Sequence, residues 1–160
     1  MHNPAAGSTT WNVGVRVLYF LDMASIQKEV AIMATDDAVW NAVQDFGAVH
    51  LRLVPGFLKD CRLEGDTRTV TFANGVVARE QLVDCNHSAR RLVYCVLPNE
   101  RVAHYNAVLQ VLARDQASCT LVWTVDFLPH ELAPYIDKQM TAALSVMGET
   151  LRSRGSGNPH

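Results

Sequence analysis

Asn74-Gly75-Val76-Val77-Ala78-Arg79-Glu80-Gln81-Leu82-Val83 is the stretch from which the architecture can be read outward. Asn-Gly between apolar runs predicts a tight hairpin, because a type I′ turn requires φ > 0 at both central residues. In the strand that follows, side chains alternate between two faces. One face carries Val77, Arg79, Gln81 and Val83; the other carries Val76, Ala78, Glu80 and Leu82. The second face is apolar except for one carboxylate. Burying a lone charge is costly unless it meets a partner or water. The interior behind this strand is therefore expected to be wet, or to hold a group that Glu80 binds.

Around this strand the same alternation recurs. Phe57 to Glu64 is followed by a Gly65-Asp66 turn, and Arg68 to Ala73 leads into Asn74-Gly75. Val76 to Cys85, Arg90 to Leu97, Ala103 to Ala113 and Cys119 to Leu128 follow, separated by short polar or Pro-containing breaks. Close spacing with short turns predicts an antiparallel meander. Upstream, residues 25–33 alternate as a first strand. Thr35-Asp36-Asp37 then opens a helix, with a capping hydroxyl and acids in the first turn. Val39, Trp40, Val43 and Phe46 give that helix its apolar face, Gly47 stops it, and residues 48–53 form a second short helix before Pro55-Gly56.

Downstream the period changes from two to 3.6. From Ala133 to Arg152, Ile136, Met140, Ala143, Leu144, Met147 and Leu151 share one face of a long amphipathic helix. The predicted fold is α+β: a seven-stranded curved antiparallel sheet wrapped around the long C-terminal helix, with two short helices between strands 1 and 2. A curved sheet does not pack flat along a whole helix, so a cavity between them is expected.

Composition sets the outer bounds. The 160 residues suit one domain with a real core. A net charge of −2, without a basic run, argues against a nucleic-acid surface. Cys61, Cys85, Cys95 and Cys119 have no zinc-ligand spacing, so no metal site is expected, and they read as small hydrophobes in a reducing compartment. No apolar run reaches the roughly 18 residues needed to span a bilayer. Val13 to Leu21 is short and interrupted by Arg16, a poor signal peptide, which suggests a cytoplasmic protein. Residues 1–23 read as a peripheral or disordered extension, with Met23 as a candidate natural start. Residues 24–153 read as the single domain and 154–160 as a flexible tail.

The order of elements, together with Ala38-Val39-Trp40, Gly56-Phe57-Leu58-Lys59-Asp60-Cys61, Arg79-Glu80-Gln81-Leu82, Arg91-Leu92-Val93-Tyr94 and His104-Tyr105-Asn106, resembles the helix-grip fold of the START-like superfamily over about residues 24–152. That superfamily includes birch-pollen allergens, polyketide cyclases and plant abscisic-acid receptors. The nearest class resembles bacterial polyketide cyclase/dehydrase and lipid transport proteins. The resemblance to the receptors places Lys59 where a lysine meets the ligand carboxylate, Glu80 in their Glu-Arg-Leu strand, Tyr105 at a cavity tyrosine and Tyr94 at a cavity phenylalanine. The receptors' Ser-Gly-Leu-Pro gate is absent, and their His-Arg-Leu latch reads Glu100-Arg101-Val102. A hormone receptor of that kind is therefore not expected.

Strand parity gives the candidate site. Lys59 shares a face with Phe57, Cys61 and Leu63, and is expected to point inward and pair with Glu80. Tyr94 goes with Leu92 and Val96, Tyr105 with Ala107, Leu109 and Val111, and Trp123 with Leu121, Val125 and Phe127. Plain core packing is the competing reading for all three, and the favoured one for Trp123. His50 falls near the expected cavity mouth; His87 and His130 lie in loops and His104 on the outer face. The leading expectation is a binding module for a small hydrophobic or amphipathic molecule. Lys59, Glu80, Tyr94 and Tyr105 would fix its polar end; Trp123, Phe127, Met140 and Met147 would line its apolar part. The alternative is a polyketide cyclase or dehydratase with Glu80 as general base and Tyr94 or Tyr105 holding the oxyanion, assisted by Lys59. The resemblance implies no cofactor for such an enzyme. A third possibility is a partner-binding protein without a ligand, with Val13 to Leu21 supplying a homodimer contact.

Overall fold

The computed structural model describes residues 23–155. The extension, the dimer contact and the tail inferred for residues 1–22 and 156–160 lie outside that range. β1 spans Ala24–Ile32, α1 Asp36–Val43 and α2 Val49–Arg52, with a 3-10 turn at Phe46–Ala48 between the helices. β2 (Leu58–Glu64), β3 (Thr67–Phe72), β4 (Val77–Asn86), β5 (Arg91–Val96), β6 (His104–Ala113) and β7 (Cys119–Leu128) follow. A 3-10 turn at His130–Leu132 then leads into α3, Ala133–Gly155. The strands form one antiparallel sheet in the order β1-β7-β6-β5-β4-β3-β2. This is the helix-grip fold that the sequence predicts, with two short helices between β1 and β2.

Local chemistry explains the element ends. Thr35 Oγ1 accepts from the Ala38 N–H at 3.2 Å, and Asp36 and Asp37 sit in the positive first turn of α1. α1 stops at Val43, earlier than the expected face through Phe46. Asp45 leaves helical geometry, and Phe46 is buried from the next turn instead. Arg90, at the β4–β5 turn, reaches Asp36 at 3.2 Å and also Asp37, tying that turn to the start of α1.

The Asn74-Gly75 hairpin differs from the expected two-residue turn. Only Gly75 has positive φ, at +88°. The Gly75 N–H donates to the Phe72 carbonyl, and the Phe72 N–H donates to the Val76 carbonyl. The loop is thus three residues, Ala73 to Gly75, with glycine in the left-handed position that favours it. That extra residue sets the register of β3 against β4: Val70 faces Ala78 and Arg68 faces Glu80.

Two bulges shift side-chain parity. One lies between Leu58 and Asp60, the other between Leu82 and Asp84. A bulge leaves one residue without a cross-strand partner and flips the alternation beyond it. Lys59 is the extra residue of the first bulge. Leu58 is buried and Cys61 half-buried, while Lys59 is exposed. Lys59 therefore does not enter the interior.

The core lies between α3 and the concave face of the sheet, closed on one side by α1 and α2. All six apolar residues named for α3 are buried. β7 alternates strictly, with Leu121, Trp123, Val125 and Phe127 inside. α3 is seated on β1: Lys28 Nζ meets Asp137 at 2.8 Å, and a Cβ on Gly148 would stand 3.3 Å from Val30 Cγ2. No helix among the described residues is long and apolar enough to cross a membrane.

Candidate functional site

Glu80 is buried, and its partner is Arg68. Arg68 Nε donates to Glu80 Oε2 at 2.7 Å, directly across the β3–β4 ladder. The guanidinium also donates through Nη1 to the Phe46 carbonyl at 3.0 Å. It lies 3.9 Å from the centroid of the Phe46 ring and 5.0 Å from that of Tyr94. Arg68 is therefore clamped by a carboxylate, a carbonyl and two aromatic faces. The second bond, to the Phe46 carbonyl, offsets part of the desolvation of the pair.

This cluster closes the inner end of a cavity of about 560 Å³ between α3 and the sheet. Val43, Leu53, Leu58, Val96, Met140 and Met147 supply much of its apolar wall. Three polar side chains join the ion pair there. Tyr94, on β5, is buried and next to the hydroxyl of Tyr105 on β6. Burial, and then the neighbouring Glu80 carboxylate, hold the Tyr94 phenol well above its usual range. Tyr105 is raised likewise, first by burial and then by Tyr94 and Glu80. Both phenols keep their protons at neutral pH and can donate. Trp123 Nε1 lies beside the Tyr94 hydroxyl but is buried without a hydrogen bond of normal geometry. An unsatisfied buried N–H costs about 1–3 kcal/mol.

Six of the eight residues proposed from the sequence meet at this cavity: Glu80, Tyr94, Tyr105, Trp123, Met140 and Met147. Two do not. Lys59 is turned to solvent by the β2 bulge. Phe127 is fully buried between Tyr105 on β6 and Ala24 on β1, in the filled part of the core. Arg68 was missed, although Arg68, Val70 and Phe72 alternate with Thr67, Thr69 and Thr71 and so share the inner face. Asn99 and Arg101 in the β5–β6 loop, and Gln139 on α3, are further polar lining residues not anticipated. The entrance is bordered by exposed Val76, Val77, Arg101 and Tyr135, with Val54 also lining the cavity. His50 is half-buried, its Nδ1 without a partner, and does not line the cavity. Among the described residues no group of His, Cys, Asp and Glu is arranged to hold a metal ion.

Residues 23–152 match the family of polyketide cyclase / dehydrase and lipid transport proteins, and the chain belongs to that family. The fold is similar to that of an uncharacterized Bacillus thuringiensis protein, at 18% identity with a TM-score of 0.73, covering 80% of this chain and 98% of that one. It is also similar to a START superfamily protein from Mycobacterium smegmatis, at 13% identity and a TM-score of 0.65, covering 82% and 96%. A third similar structure is norcoclaurine synthase from Thalictrum flavum in complex with dopamine and hydroxybenzaldehyde, at 17% identity and a TM-score of 0.66, covering 92% and 96%. Among curated proteins none matches.

Proposed function

We propose that the chain binds a small, mostly apolar molecule in the cavity between α3 and the concave sheet, its polar end toward Tyr94, Tyr105 and Trp123. The observation that carries this reading is a cavity of about 560 Å³ with largely apolar walls, into which the buried side chains of Arg68, Glu80, Tyr94 and Trp123 face. Small-molecule pockets commonly span ~300–1,000 Å³ and combine apolar walls with a few fixed polar groups. The dopamine and hydroxybenzaldehyde held by norcoclaurine synthase are small aromatic molecules of the kind such a cavity suits. Lys59 has no part in this reading; Arg68 and Glu80 serve as a fixed polar wall.

The test is titration with a neutral apolar fluorophore such as N-phenyl-1-naphthylamine. Saturable one-to-one binding, displaced by other small apolar compounds and weakened by Ala143→Leu on the cavity wall, is expected. Non-saturable binding, or binding indifferent to Ala143→Leu, counts against the reading.

The family's cyclase and dehydrase members favour a second reading, an enzyme with Glu80 as general base and the two phenols holding an oxyanion. The ion pair weighs against it, because Glu80 Oε2 is already held by the Arg68 guanidinium at 2.7 Å and is not free to meet a substrate proton. Turnover of a poly-β-ketone substrate that Glu80→Gln abolishes, with binding spared, would decide for the enzyme.

A further inference from the structure

Building on that binding reading, we infer that the inner end of the cavity selects a ligand with a neutral oxygen acceptor, such as a ketone, quinone or ester carbonyl, over a carboxylate. Three observations converge. First, the positive charge at the inner end is already used: Arg68 is bound to Glu80 at 2.7 Å and to the Phe46 carbonyl at 3.0 Å. Among the described residues the other charged side chain lining the cavity is Arg101, exposed at the mouth. A carboxylate brought to the inner end would lose its water and find no free cation there, and it would stand near Glu80.

Second, the cluster offers donors. Tyr94 and Tyr105 keep their phenolic protons, because burial and the Glu80 charge disfavour the phenolates. Third, one donor has no partner. Trp123 Nε1 is buried, beside the Tyr94 hydroxyl, on a side chain only 7% exposed that lines the cavity. An indole N–H can only donate. A carbonyl oxygen entering this corner would accept from Tyr105 or Tyr94 and let the Tyr94 oxygen turn to accept from Trp123. A hydrocarbon would leave the second phenolic proton of the Tyr94–Tyr105 pair and the Trp123 N–H without an acceptor.

The experiment uses three near-isosteric probes on the full chain: 2-isopropenylnaphthalene, 2-acetylnaphthalene and 2-naphthoate. Dissociation constants are measured by competition with N-phenyl-1-naphthylamine at pH 7. The ketone is expected to bind at least tenfold more tightly than both others. Tyr94→Phe/Tyr105→Phe should cut that preference to less than threefold, with the isopropenyl compound bound as in the wild type. In ¹H–¹⁵N spectra the Trp123 indole peak, assigned with Trp123→Phe, should move with the ketone and stay near its free position with the isopropenyl compound. Equal binding of ketone and hydrocarbon, or tightest binding of the naphthoate, overturns the inference and leaves the binding reading standing. Failure of all three probes and of the fluorophore overturns both.

Discussion

Arg68 and Glu80 face one another across β3 and β4, joined at 2.7 Å, with side chains 6% and 10% exposed. The pair is the one ion pair of the described residues set inside the cavity wall, and its stability consequences are asymmetric. Removing one partner of a buried pair strands a charge, which costs roughly 3–5 kcal/mol, whereas replacing both by apolar residues is often neutral or stabilising. Arg68→Met and Glu80→Leu should each lose several kcal/mol in urea denaturation. The double variant should recover most of that loss. Additive losses would show that the two side chains act independently.

The phenols of Tyr94 and Tyr105 make stability fall in alkali. Their folded pKa values are raised, so the native state keeps protons that the unfolded chain loses above about pH 10. The stabilisation is fully present below the unfolded value and is lost as pH rises above it. The slope is about 1.4 kcal/mol per pH unit for each such group. Urea midpoints at pH 9, 10 and 11 should decline more steeply for the wild type than for Tyr94→Phe/Tyr105→Phe. Phenolate absorbance should show Tyr94 and Tyr105, identified by their loss in the double variant, resisting titration until the protein unfolds.

Lys59 is exposed on a bulge, so Lys59→Met should change stability by no more than about 0.5 kcal/mol and leave probe binding unaltered. A large loss of binding in this variant would return the lysine to the interior.

Ala143 is buried on α3 and its methyl group lines the cavity. Ala143→Leu extends into open space instead of into packed atoms. Stability should therefore stay within about 1.5 kcal/mol of wild type while probe affinity drops at least tenfold. Thermal melts run beside the fluorophore titration would separate the two effects.

Thr35 caps α1 through its hydroxyl. Thr35→Ala should cost about 1 kcal/mol, and Thr35→Ser almost nothing, by the same urea measurement.

The strand order and the faces of β7 and α3 were legible because their periods run unbroken: Leu121 to Phe127 alternates without a slip, and Ile136 to Leu151 keeps one helical stripe. Glu80 was legible for the same reason. Its partner was not, and the cause is one residue of loop length. A two-residue Asn74-Gly75 turn would place Thr69 opposite Glu80; the three-residue loop places Arg68 there. Side-chain parity already favoured the second register, since Arg68 shares a face with Val70 and Phe72. Lys59 failed for a different reason. Bulges carry no fixed residue signature here; parity counted from Phe57 holds at Cys61 and Leu63, opposite inward Val70 and Arg68, and fails only at Lys59, the residue the bulge leaves without a cross-strand partner. Phe127 faces inward as its alternation implies, but facing the core and bordering empty space are separate properties. The second depends on where α3 lies along the sheet.

That placement of α3 has a mechanical consequence. The helix is riveted to one margin of the sheet, through Asp137 to Lys28 and through the close seat of Gly148 on Val30. The opposite margin, β2 and β3, borders the cavity and is held chiefly by its own ladder and by α2. The molecule thus resembles a clamshell fastened along its β1 margin, with the cavity set toward the margin that α3 does not hold.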